Sequence, residues 1–262
     1  MLTGLGANVL ANIVATATLS TIVVLLRARG PSVAYLLFWR SFSRDLAVIV
    51  SEVPFSYDPD IRPGEQPPLT PIGDALALAE LMRFIGRRAH RPAVTAAANT
   101  AVFDRLKRQN LLIIGGPKYN RPCFSILAEL NEAVLYQFMR VEAGSHKRAR
   151  QDVDMKRLIA RPGSGLPDLS PDSQSELDFG CTIVSRNPYN RRRRVVVVGG
   201  LSTLSTVAAT TWLLRPHAAL WWRTRIRARG FQAIITSRAV TSTTAANIRL
   251  HVLHYFPEED RS

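Results

Sequence analysis

Two short aliphatic runs, each ending in paired glycines, restrict this chain more than any other feature. Asn110–Gly116 reads NLLIIGG and Arg191–Gly200 reads RRRRVVVVGG. Neither run leaves a polar face, so each predicts a strand covered on both sides, as in sheets flanked by helices. Leu46–Val50, inside SRDLAVIVSE, has the same character. Helical patterns follow all three. After a loop rich in Pro, Gly and acidic residues comes PIGDALALAELMRFIGRRAHRP. Pro71 suits its first turn, Asp74 its positive end and Arg87 and Arg88 its negative end. Ile72, Leu76, Ala79, Met82 and Ile85 recur there at helical spacing. RPCFSILAELNEA follows GGPKYN, and LSTLSTVAATTWLL follows the second glycine pair. Residues 93–109 read as a short strand and then a turn or helix, and Ala133–Val141 as a short antiparallel strand. Cys181–Ser185, Phe231–Ser237 and Ile248–Phe256 read as further strands, with a turn at Asn187–Tyr189. Strands alternating with helices predict an α/β domain over residues 42–262, an open, mainly parallel Rossmann-like sheet flanked by helices.

The N-terminus predicts something different. Ala7–Leu26 carries no charged residue and is rich in Ala, Val, Ile and Leu. A helix of about 20 residues at 1.5 Å rise spans a hydrocarbon core of roughly 30 Å. Arg27, Arg29, Arg40 and Arg44 follow the run, and no basic side chain precedes it. The positive-inside rule then places the C-terminal side in the cytoplasm. The expectation is a transmembrane anchor (residues 1–30), a juxtamembrane linker (31–41) and a cytoplasmic domain in a single-pass membrane protein. A cleaved signal peptide would need a basic start and a shorter apolar stretch. An amphipathic core helix is the third reading. Val195–Leu214 is also uncharged, so a second span competes with strand–turn–helix there; the glycine pair and the Ser/Thr-rich continuation favour the latter.

The net charge of +14 comes almost wholly from arginine, the lysines being Lys107, Lys118, Lys147 and Lys156. Such basicity favours anionic partners: for an anchored domain anionic lipid first, then a nucleotide-like small molecule, with nucleic acid behind both. Cys123 and Cys181 fit buried free thiols. The five histidines show no ligand spacing, and no GxSxG, HExxH or CxxC occurs, so neither a metal nor a cofactor is expected.

Ligands of open α/β sheets sit at the carboxyl ends of strands, beside helix N-termini. Three such ends carry candidate ligand-binding residues: Glu52, with Asp74 at the next helix; Gly115, Gly116, Pro117 and Asn120; and Gly199, Gly200, Ser202 and Thr203. Glycines admit close approach and expose amide groups to an anion, Ser202 and Thr203 add hydroxyls, Asn120 suits a base or ribose edge, Lys118 an anion and Tyr119 a ring. The competing reading is that the glycine pairs only make tight turns. Neither turn matches GxGxxG or GxxxxGK[ST].

The strand ending in Gly115-Gly116-Pro117 before a helix resembles the nucleoside 2-deoxyribosyltransferase group and the wider Rossmann-like nucleotide-processing and nucleotide-sensing domains that include TIR domains. The resemblance implies that Gly115, Gly116 and Pro117 line a nucleotide pocket. It also implies a glutamate nucleophile; Glu52, Glu129 and Glu132 are nearby in sequence, and none aligns with the catalytic position. The expected function is a membrane-anchored sensor or regulator that binds a nucleotide. The alternatives are an enzyme cleaving an N-glycosidic bond and a non-catalytic basic scaffold.

Overall fold

The computed structural model describes residues 34–52, 70–86, 93–96, 100–117, 120–138, 157–171, 177–215, 230–239 and 245–256. The chain divides into two compact units, one of residues 1–39 and 216–228, the other of 40–215 and 229–262. In the first, the described residues 34–39 are helical, and Trp39 meets Tyr35 and Phe38 edge-on, at 6.4 and 5.5 Å between ring centres.

The second unit holds the sheet. Its elements in chain order are β1 (Leu46–Val50), α1 (Ile72–Gly86), β2 (Ala93–Ala96), α2 (Thr100–Leu106), β3 (Asn110–Ile114), α3 (Arg121–Glu129), β4 (Tyr136–Phe138), β5 (Leu158–Ala160), β6 (Leu177–Asn187), β7 (Asn190–Gly200), α4 (Thr203–Leu213), β8 (Phe231–Ala239) and β9 (Ala245–Tyr255). The main sheet runs β2-β1-β3-β7-β6-β8-β9, with β4 and β5 pairing separately.

β2, β1, β3 and β7 are parallel neighbours, whereas β7–β6, β6–β8 and β8–β9 are antiparallel and longer. The sheet is therefore mixed, which corrects the expected mainly parallel Rossmann-like arrangement. The reason is connection length. A parallel neighbour needs a crossover of a dozen or more residues, while a short turn returns the chain antiparallel. Pro188 and Tyr189 alone separate β6 from β7, and residues 240–244 alone separate β8 from β9.

Every residue of β1 and β3 is buried, as their unbroken aliphatic character requires. On one face Ala47, Ile49, Leu111, Ile113, Val195 and Val197 join Phe103 of α2, Cys123 and Ile126 of α3, and Tyr136 of β4 in one core. Cys123 and Cys181 are free thiols within it, and burial pushes Cys181 up to about 12. On the other face α1 packs against α4, where Thr211 Oγ1 donates to Glu80 Oε2 at 3.2 Å.

The membrane expectation is also corrected. Among the described residues no helix is long and apolar enough to cross a membrane. The longest, α1, has 15 residues, or about 22 Å at 1.5 Å each, short of the roughly 30 Å needed. The run 7–26 lies outside the described residues, and no described helix supports the expected anchor or the single-pass cytoplasmic placement. Val195–Leu214 forms the end of β7, a turn and α4, not a second span. The helical pattern at 217–230 lies almost entirely outside the described residues.

Candidate functional site at the carboxyl edge of the parallel strands

From β1 the chain passes through α1 to β2 on one side, then through α2 to β3 on the other. The sequence order thus reverses between β1 and β3, and a crevice opens at such a switch point, outside the carboxyl ends. Glu52, Gly115–Pro117 and Gly199–Gly200 all lie along this edge, so the fold gathers the three strand ends. Lys118 and Tyr119 fall outside the described residues.

The two glycine pairs touch. Gly115 N–H donates to Val198 O at 2.9 Å, the last bond of the β3–β7 ladder. A Cβ on Gly199 would lie 3.3 Å from Gly115 C and Gly116 N. Gly200 lies against the first turn of α4, where a Cβ would strike Ser205 Oγ and come within 2.5 Å of Thr206 N. Gly115 has φ +99° and covers Ser51 and Asp74. For these three glycines, the protein's own packing suffices as explanation.

Gly116 differs. A Cβ there would meet Gly200 O at 3.6 Å and the Phe138 ring at 3.8 Å, both ordinary contacts, and its φ is not positive. It is half-buried, next to half-buried Pro117. Neither packing nor backbone conformation demands glycine at this position.

Several expected ligand groups are turned inward instead. Asp74 is buried in the first turn of α1 and accepts a hydrogen bond from the Ser51 hydroxyl. Burial pushes its carboxyl above the ordinary value of 3.8, against the opposing effect of hydrogen bonds from Ser51 and from Thr206 of α4. Asp74 thus ties α1 to β1 and α4. The sign of its pH effect follows from its raised folded-state pKa. The native state keeps a proton that the unfolded chain releases above about pH 4, so stability falls as pH climbs from there to the folded-state pKa. Asp74→Asn is expected to lose less stability than the parent between pH 4 and 7 in urea titrations. An equal loss in both would return Asp74 to ordinary carboxylate behaviour.

Asn120, fully buried, caps α3 by accepting from Cys123 N–H at 3.0 Å and closes β3 by donating to Ile114 O at 3.1 Å. Ser202 caps α4 in a reciprocal capping box with Ser205 and donates to Asp178. Both residues match a preference for Asn and Ser at helix starts, where side-chain oxygens satisfy orphan N–H groups. Thr203 is the first residue of α4. Glu52 is half-buried immediately after β1. Glu129 lies at the far end of α3, within electrostatic reach of Tyr189 in the β6–β7 turn. It belongs to the opposite edge of the sheet. Glu132 lies exposed beyond α3.

Phe138 was not anticipated from the sequence. Its ring, on β4, stands against Gly116 and Gly199. Only the long-range placement of β4 brings it there, and a lone Phe in a short strand carries no such signal. Searches against protein-family models and against curated proteins gave no match to this chain.

Proposed function

We propose that the carboxyl edge between β1, β3 and β7 binds a small anionic molecule of the nucleotide type, with Gly116 as the point of closest approach. The observation that carries this is the unforced glycine. Of the four glycines at the edge, Gly116 alone has room for a side chain and no positive φ, so access for something outside the chain accounts for it. Backbone amides at such a turn favour anionic oxygens. Phe138 beside it offers a planar apolar wall on which a base can stack. The likeness of the Gly115-Gly116-Pro117 turn to nucleotide-processing domains supports the same ligand class.

The test is a thermal-shift panel of nucleotides, cyclic nucleotides and NAD on the full chain, with each stabilising ligand recovered and analysed. A bound ligand raises stability by RT ln(1 + [L]/Kd), about 2.7 kcal/mol at a hundredfold excess over Kd. Gly116→Val is expected to fold and melt like the parent while losing that ligand-dependent shift. If the shift survives in Gly116→Val, the site is wrong. Recovery of the ligand unchanged indicates a binding module, whereas release of free base indicates N-glycosidic cleavage.

A further inference from the structure

The opposite edge of the sheet holds a charge arrangement that the described residues leave unbalanced. Arg186 of β6 and Arg194 of β7 are direct partners in the antiparallel pairing. Arg194 N–H donates to Asn110 Oδ1 on the β3 side at 2.9 Å, so it is turned away from β6. The two arginines therefore form a non-hydrogen-bonded pair, the closely spaced kind, with Cα atoms about 4.5 Å apart. By strand alternation both point to the face opposite Val195 and Val197. Like charges placed directly opposite destabilise a sheet.

Arg194 Nη1 is buried and has no hydrogen-bond partner. Burial first, and Arg186 second, push its guanidinium below the ordinary value. A guanidinium does not relieve such strain by losing its proton, as a lysine can. No carboxylate pairs with Arg186 or Arg194 among the described residues. Asp45, at the amino end of β1, is committed to Arg193 at 2.8 Å. A desolvated cation held beside a second cation calls for an anion, and the described residues supply none.

We propose that Arg186 and Arg194 form a binding site for a phosphate-type oxyanion at the amino-terminal edge of the sheet. Two guanidinium forks match the tetrahedral oxygens of a phosphate, and a dianion balances both charges where a monocarboxylate leaves one unmet. The site lies at the other end of the strands from Gly116 and is independent of the nucleotide reading.

The experiment titrates inorganic phosphate into the full chain against chloride at matched ionic strength, following the melting temperature. The parent is expected to show a saturable rise at millimolar phosphate. Arg194→Met keeps the apolar stem and removes the charge, so phosphate affinity should fall about tenfold or more. In phosphate-free buffer the same variant should melt no lower than the parent, because an unpaired buried charge is gone. Should Arg194→Met not fold, Arg186→Met is read in the same way. An identical phosphate response in parent and variant, or one that never saturates, overturns the site. A labelled single-stranded oligonucleotide separates the sources. Arg194-dependent, salt-sensitive binding to it identifies a nucleic-acid backbone. A phosphate response without such binding identifies a free phosphate or a phosphorylated small molecule.

Discussion

Gly115→Ala is expected to lower the melting temperature by roughly 10 °C. Gly115 sits at φ +99°, where a side chain is strained, and a Cβ there would lie 2.6 Å from Asp74 Oδ2, Ser51 Cβ and Ser51 Oγ. None of these is the free end of a flexible side chain, because Ser51 and Asp74 are hydrogen-bonded and buried. Backbone strain of about 1–3 kcal/mol adds to overpacking of about 1–3 kcal/mol. In a domain of this size each kcal/mol moves the midpoint by about 2–4 °C. Gly116→Ala, one residue on, should leave the midpoint unchanged, since its Cβ finds only ordinary contacts. Calorimetry of the two variants checks the pair. A Gly115→Ala midpoint matching that of Gly116→Ala would mean that the Ser51–Asp74 pair gives way without cost.

The second large effect is expected at Gln232. This buried residue of β8 joins the β4 segment to the sheet. Its Oε1 accepts from Leu135 N–H at 2.8 Å and Tyr136 N–H at 2.9 Å. Its Nε2 donates to Tyr136 O at 2.6 Å and to Cys181 Sγ at 3.5 Å. Gln232→Leu keeps the volume but orphans two backbone donors and one acceptor. Each buried unpaired group costs about 1–3 kcal/mol, so a loss of about 3–9 kcal/mol is expected in urea unfolding. The amides of Leu135 and Tyr136 should exchange with solvent faster than those of β1 and β3. Unchanged protection at those two amides would show that β4 holds by its apolar contacts alone. Because β4 carries Phe138 to the glycine edge, the same variant should also weaken any ligand response there.

Local chemistry made several elements readable. The aliphatic runs at Leu46–Val50 and Asn110–Ile114 allowed nothing but strands buried on both faces. The two helices after the glycine pairs were readable as well, although Asn120 and Ser202, expected as ligand groups, turn out to be their caps. The short turn at Pro188–Tyr189 already held the antiparallel return of β6 and β7, and the alternation of strands with helices masked it. The strand β6 begins at Leu177, well before the run Cys181–Ser185 that announced it, because Asp178 and Gly180 interrupt the apolar run and the segment is recruited by pairing with β8. The expected anchor rested on the length and hydropathy of the run 7–26 and on the arginines after it, and no described helix supports a membrane span.

The candidate site divides along the same line. The sequence by itself determined which residues stand at the ends of β3 and β7, since in both a glycine pair closes an aliphatic run. Only the tertiary structure decided what each does there. It placed Asp74 beneath Gly115 and set the Ser202 hydroxyl against Asp178. It moved Glu129 to the far edge, brought Phe138 against Gly116, and set Arg186 opposite Arg194. The physical reason is range. Capping and strand burial depend on neighbours a few residues away, whereas the partners of a buried carboxyl or guanidinium are set by strand order and register. Those are fixed by contacts between residues far apart in the chain.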